Sequence, residues 1–574
     1  MTQGQKVNEI FNNRVFSIPN YQRDYAWESK NLDDLWEDLL EAENAKNDEM
    51  GHFLGTIVVA KNPQNKAVYD IIDGQQRATT LFMLRYTLNC KAGLQERNFN
   101  HYHDENDNLR LQVIDDNKEF FAKILEQAQK CELDSNLEKE IKTEGHRRLY
   151  EVFDAILSYV NSLSQDKAKN LLLVLDKMVL MWLEEKDSGR AIRMFQTVND
   201  RGMPLLILDK LKSLLILYSN KYCDGKLDDV INERFGKIFK ATMKIRQHKV
   251  APSLADKDFQ KEIEARIFNY HALGHKDIGH YEYGADESYK KLKDLLKVKV
   301  KNLHDTQELE KWLDNYSKDL CEFSEAFFEV VKMTETNIEA FKNLFILRIN
   351  PFLYPALVRL KMNGILDDEC LKLLAQAEIF FFGLHSKNRA SAYKLYEFTN
   401  DKNTFKKKII ELCIKCSKGG YTNIKEVIEY IAKQNYEWGK YFHYMFLAYR
   451  SKNMNISDFE KLVQEKTYAM SIEHIVPQNA SENGSLHQYG FDDEIEFNNF
   501  KNTFGNLLVL ESSLNSENKD YGQAKKQENY KKSYIFYNRE FANSPNFLSF
   551  GKNDIIKENE SFTAWAREFF KDFL

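Results

Sequence analysis

The chain has 574 residues, of which 43% are hydrophobic, 29% charged and 13% aromatic. That balance excludes a disordered chain and, at ~150 residues per domain, leaves room for about three or four domains. Lys and Arg total 81 against 87 Asp and Glu, a net charge of −6, so any nucleic-acid surface must be local.

Only 8 Pro and 23 Gly interrupt the chain, so long helices should dominate. Seven cysteines without framework spacing point to a reducing compartment. The opening MTQGQKVNEIFNNRVF lacks the apolar stretch of a secretory leader. No run reaches 18 uncharged apolar residues, since 171–183 is broken by Asp176 and Lys177. These features predict a cytoplasmic protein with no membrane partner.

The first ninety residues read as mixed α/β. A segment IPNYQRDYAW at 18–27 comes first. FLGTIVVA at 53–60 and VYDII at 68–72 then read as two strands joined by the turn-rich KNPQNK. Asp73 and Gly74 end the second strand, and 75–88 has the apolar spacing of a helix. From about residue 117 the pattern is helical almost without relief, as at 119–130, 149–163 and 207–218. The stretch 221–440 continues as helices with charged connectors and reads as a scaffold or a homodimerisation region. After about 440 the texture changes. Short strands are expected at 470–476 and 506–511, and helices follow to the end.

Three N-terminal clusters bear on function. Tyr21, Gln22 and Arg23 in IPNYQRDYAW bring aromatic and guanidinium groups that suit a base and a phosphate; the plain alternative is a packed arm. In Asp73-Gly74-Gln75-Gln76-Arg77, Gly74 permits a turn with positive φ. The helix that follows offers unpaired N–H groups to phosphate, and Arg77 can grip phosphate bidentately. Asp73 can hold a divalent ion or orient Arg77; otherwise it is a helix N-cap. The third cluster, FQTVNDRGMPL at 195–205, is a loop between helices followed by Asp209 and Lys210.

In this order the three clusters resemble the N-terminal half of GmrSD-type type IV modification-dependent restriction endonucleases. The resemblance covers about 1–220. It implies a ParB/sulfiredoxin-like α/β domain with a helical extension that binds and hydrolyses a nucleoside triphosphate. It also implies a nucleotide site at Asp73, Gly74, Gln75, Gln76 and Arg77, with Tyr21, Gln22 and Arg23 linked to sensing nucleotide or modified DNA. No GxxxxGK[ST] motif occurs, so a P-loop is not expected.

Near the C-terminus, SIEHIVPQ at 471–478 places Glu473 and His474 together at a strand end. A carboxylate can hold a hard cation, and a neutral histidine can take a proton from water. Asn506, in GNLLVL, follows 32 residues after His474, then Asn515, then Lys525 and Lys526. His on one strand, Asn on a second and Asn and Lys on a helix is the layout of a ββα-metal nuclease. Each residue alone reads as a satisfied strand histidine or a turn cap. From 501 to 532 six Lys face four acids, which suits a phosphate-tracking surface or a solvated helix face.

The segment resembles the HNH nuclease fold of GmrD-like domains. That resemblance implies His474 as general base, Glu473 and Asn515 as ligands of Mg²⁺ or Mn²⁺, Asn506 as an orienting group and Lys525 as a phosphate contact. Many HNH motifs carry Asp where this chain has Glu473. The lone CxxC at Cys413 and Cys416 reads as structural.

The reading is therefore an α+β, predominantly helical chain: a nucleotide-binding and NTPase domain at 1–220, a helical region at 221–440 and an HNH-like domain at 441–574. Its expected function is NTP-responsive, metal-dependent cleavage of modified phage DNA in bacterial defence. Two alternatives use the same residues, an RNA-directed or non-specific nuclease and a nucleotide-sensing regulatory protein.

Overall fold

The computed structural model describes residues 2–12, 14–44, 52–62, 65–185, 206–248, 259–279, 284–301, 306–384, 389–417, 424–433, 438–450, 470–481, 485–518 and 521–574. They are mostly helical, with a mixed sheet near the N-terminus, an α+β architecture. The chain divides into two compact units, one of residues 1–243 with 296–321, the other of 244–295 with 322–574.

The first unit is built on a six-stranded sheet. Its strands are β1 (Thr2–Lys6), β2 (Val15–Ser17), β3 (Phe53–Lys61), β4 (Val68–Asp73), β5 (Leu111–Gln112) and β6 (Val179–Glu185), in the order β1-β6-β3-β4-β2-β5. The β3–β4 and β1–β6 pairs are antiparallel, and the other three are parallel. The expected strands at 53–60 and 68–72 and the helix from 75 are present, the helix running Gln75–Lys91. Every residue of that helix from Ala78 to Cys90 is buried. Surrounded on all sides, it shows no polar face. Its fully buried Arg85 is paired with Asp176 Oδ1, 2.6 Å from Nε, and donates through Nη2 to Asn12 Oδ1 at 2.6 Å, while Nη1 has no hydrogen-bond partner.

One expectation fails here. The pattern after residue 117 is not helical without relief, because β6 lies at Val179–Glu185. Its partners are β1 and β3, more than a hundred residues earlier, with Val58 opposite Leu183. Pairing of that range leaves no local periodicity to read. The apolar run at 171–183 is thus half helix (Gln165–Lys177) and half strand.

In the second unit, helices bury a large aromatic core. There the Phe504 and Phe562 rings stack at 3.5 Å between centroids. Its only strands among the described residues are β7 (Met470–His474) and β8 (Leu507–Glu511), an antiparallel pair with Glu473 opposite Leu508 and His474 opposite Leu507. The short helices Ser512–Asn518 and Gln523–Tyr530 follow β8 directly. Among the described residues no helix is long and apolar enough to cross a membrane.

Candidate functional site

The two motif-bearing regions are described separately, beginning with the end of β4. Gly74 turns the chain there with φ +85°. A side chain would be strained by that φ and would bring its Cβ within 2.8 Å of the Thr56 carbonyl oxygen. The helix begins at Gln75, and its first amides face the arm at 18–27. Gln76 Oε1 accepts from the Ala26 amide at 2.8 Å, and its Nε2 donates to the Asp24 carbonyl at 3.0 Å. From the arm, Gln22 Nε2 donates to the Ile72 carbonyl at 3.0 Å. The two motifs are therefore stitched together through side chain and backbone. The buried Asp24 carboxylate accepts from Asn117, and burial raises its pKa.

Between arm and helix lies a small cleft of about 10 Å³, lined in part by Ile18, Arg23, Tyr25, Gln75, Gln76 and Asn117. Gln75 Oε1 and Asn117 Oδ1 are buried and have no hydrogen-bond partner. An unmet buried acceptor costs about 1–3 kcal/mol, so a ligand donating to these oxygens would relieve a standing penalty.

Asp73 and Arg77 do not line the cleft. Arg77 Nη1 donates to the Thr56 carbonyl at 3.3 Å, and its guanidinium lies against Gly55, where a Cβ would come 2.8 Å from Cζ. Burial pushes the Asp73 carboxyl up to about 6, opposed by the Gly74 amide and Arg77. Burial lowers the pKa of Arg77, opposed by Asp73 and Asp38.

Tyr21 and Arg23 are held by the helix Ile207–Tyr222. Arg23 Nη2 pairs with Asp209 Oδ2 at 2.8 Å. Lys212 Nζ donates to the Tyr21 carbonyl at 3.3 Å and lies 4.2 Å from the centre of its ring. Burial pushes the Lys212 ammonium down to about 7 and raises the Tyr21 phenol. The loop FQTVNDRGMPL at 195–205 lies outside the described residues, but the helix after it delivers Asp209 and Lys212 to the first motif.

At the end of β7, adjacent residues point to opposite faces of the strand, which separates Glu473 from His474. His474 Nε2 lies 2.8 Å from Asn502 Oδ1, and Gln478 Nε2 lies 3.0 Å from Nε2 and 3.1 Å from Nδ1. With Asn502 accepting from Nε2–H, the Nδ1 lone pair is the one that remains basic. Asn506 is fully buried and clamps the chain just after His474. Its Oδ1 accepts from the Val476 amide at 2.8 Å, and its Nδ2 donates to the Lys501 carbonyl at 2.9 Å.

Glu473, also buried, has Oε1 2.9 Å from Lys526 Nζ and accepts there from Tyr530 Oη and Asn518 Nδ2, each at 3.1 Å. Burial raises its pKa, and these three donors oppose the shift. Lys526 Nζ also donates to the His474 carbonyl.

Thus Glu473, His474 and Asn506 share one short hairpin, but Asn515 and Lys525 do not converge with them. Asn515 Nδ2 donates to Ser471 Oγ at 2.7 Å and to the Ile472 carbonyl at 3.3 Å. Lys525 is exposed beside Glu528, 3.4 Å away. Its neighbour Lys526 is the buried lysine. The helical period held that signal: Lys526 and Tyr530 are four apart on one face, and Lys525 and Glu528 mark the wet one. Asn518 and Asn502 sat in a polar stretch with no pattern to single them out. Lys519 and Asp520, part of the local charge balance, lie outside the described residues.

Glu473 Oε1 holds the Lys526 ammonium, and Asn515 engages β7 through Nδ2, not through the Oδ1 that a cation would use. The cleft by Gln75, in contrast, offers unmet acceptors of the kind a hydrogen-bonding ligand uses.

Against known families, residues 7–216 match the GmrSD restriction endonuclease N-terminal domain, and residues 421–565 match the GmrSD restriction endonucleases C-terminal domain. No curated protein matches the chain.

Proposed function

The chain belongs to the GmrSD restriction endonucleases, and from that premise we propose that it is a nucleotide-responsive endonuclease that restricts modified phage DNA in the bacterial cytoplasm. In this reading the N-terminal region is the ParB/sulfiredoxin-like NTPase and the C-terminal region the HNH-like nuclease.

The observation that carries the nuclease assignment is the end of β7. There a histidine is fixed through its ring by Asn502 and through its carbonyl by Lys526, and Asn506 clamps the chain two residues on, at Val476. His474 Nδ1 takes the proton of the attacking water, which enters by displacing the Gln478 amide. Positioning of this kind by several fixed groups is what general-base catalysis requires.

At the other end, Arg23, Gln75 and Asn117 are the groups that would meet a nucleoside triphosphate. The cleft's volume of about 10 Å³ is room for about one water, so a single polar group of the nucleotide enters it. Nucleotide binding there gates cleavage. Asp73 and Arg77 act behind the cleft, as supports of the turn between β4 and the helix.

Dependence on Mg²⁺ or Mn²⁺ belongs to the family reading, in which Glu473 and Asn515 would hold the ion through their oxygens; no step is drawn through a metal. The test incubates the purified full chain with modified and unmodified plasmid, with and without Mg²⁺ and NTP. Cleavage confined to modified DNA and altered by NTP is the expected result. Equal cleavage of both plasmids would favour a non-specific nuclease, and no cleavage under any condition would favour a nucleotide-sensing regulator.

A further inference from the structure

The helix Gln75–Lys91 carries a second, larger hollow at its far end. Its volume is about 130 Å³, against about 10 Å³ for the cleft beside Gln75. Tyr86 and Asn89 lie 11 and 14 residues beyond Gln75 on that helix, which at ~1.5 Å per residue puts them about 16 and 21 Å away along its axis. A ligand held beside Gln75 does not fill this hollow.

Its walls are rings. Tyr86 and Tyr102 meet edge to face, 4.9 Å between centroids, and Gln129 Nε2 holds the Tyr86 hydroxyl at 3.0 Å. Phe99 stacks on His103 at 4.2 Å and 7°. Phe99 is 44% exposed although it is a large apolar ring, and His103 Nδ1 is buried without a hydrogen-bond partner. Flat walls favour a flat ligand, and stacking on an exposed aromatic is sequence-tolerant affinity for a base. The remaining lining groups, Asn89, Gln95 and Glu96, are amides and a carboxylate. Amides pair with the edge of a heterocycle. A carboxylate accepts from an exocyclic amino group and repels phosphate.

We infer that this hollow is a nucleobase site that prefers amino-bearing bases, with the ring stacked on Phe99 and its edge read by Gln95 and Glu96. That the base belongs to DNA rests on the nuclease reading; a free nucleotide carries the same chemistry.

Saturation-transfer NMR on the full chain, with 2′-deoxyadenosine, 2′-deoxycytidine, 2′-deoxyguanosine and thymidine as probes, tests the site, and a parallel arm measures the affinity of a DNA duplex and of its single strand. The three amino-bearing nucleosides should saturate and thymidine should bind most weakly. Phe99→Ala should weaken nucleoside binding about five- to hundredfold, and Gln95→Ala should flatten the preference. A matching loss of DNA affinity in Phe99→Ala identifies the occupant as a base of the strand. A loss for nucleosides alone identifies a free nucleotide in the same site. No saturation by any nucleoside, with wild-type DNA affinity in both variants, overturns the proposal. Since neither arm reads cleavage, a failure of the nuclease reading would be seen separately in the plasmid assay.

Discussion

At the end of β4 Gln76 and Gln22 are spent on another segment's backbone, whereas at the end of β7 Glu473 is spent on other side chains. Gln76 and Gln22 tie the arm to the helix, and the unmet oxygens of Gln75 and Asn117 remain beside a cleft. Glu473 instead collects Lys526, Tyr530 and Asn518. The difference follows from charge. An amide tolerates partial pairing at a cost of about 1–3 kcal/mol. A buried carboxylate survives only when its counter-ion and hydrogen bonds are complete. At the cleft the unmet groups are open to a ligand, and at β7 the completed ones hold the strand end still.

The largest break in that comparison is His474→Ala. If the β7 network only supports a base, removing the base should lower DNA cleavage by about 10²–10⁴-fold and leave folding and NTP hydrolysis unchanged. Wild-type cleavage would end the assignment. Next in size is Lys526→Met, which strands the buried Glu473 charge and should cost about 3–5 kcal/mol of stability. Lys525→Met, one residue away on the wet face, should stay within about 0.5 kcal/mol. Urea unfolding of the two variants decides the point; equal midpoints would mean that the network supports nothing.

This lysine pair also shows how far the sequence could be read. The strands at 53–61 and 68–73, the helix from Gln75 and the β7–β8 hairpin all have local periodicity, and all were legible. β6 was not, because its pairing is with β1 and β3. At the sites, motif and spacing pointed to Gly74, Gln75, His474 and Asn506. They carried no signal that Lys526 and Asn518 are the partners of the Glu473 carboxylate. Alternation along a strand also sends Glu473 and His474 to opposite faces, which adjacency in sequence conceals.

A smaller effect separates Asp73 from the cleft residues. Its carboxyl is raised from 3.8 to about 6 by burial. Below pH ~4 folded and unfolded chains are both protonated there. As pH rises to ~6 the unfolded state releases its proton first, so the folded state binds more protons and stability falls; above ~6 the loss is complete. The uncharged Asp73→Asn should therefore gain about 3 kcal/mol on the wild type between pH ~4 and ~7. A difference between the two proteins that does not change with pH would show that Asp73 is not held in the raised state.

The smallest expected effect tests whether Gln76 ties the arm or contacts ligand. Both ends of its amide are engaged by the 24–26 backbone, at 2.8 and 3.0 Å. Gln76→Ala frees the Ala26 amide and leaves the Asp24 carbonyl without its donor, a loss of roughly 1–3 kcal/mol. Because the rest of the core is untouched, the loss should be local and appear as faster hydrogen exchange at Ala26. Gln76→Glu separates the two halves of the interaction. A carboxylate still accepts from the Ala26 amide, so that amide stays protected, but it cannot donate to the Asp24 carbonyl. Exchange at Ala26 should therefore order as alanine variant, glutamate variant, wild type, from fastest to slowest. If all three exchange alike while nucleotide affinity falls, Gln76 serves the ligand rather than the arm, and the contrast between the two strand ends rests on Gln22 alone.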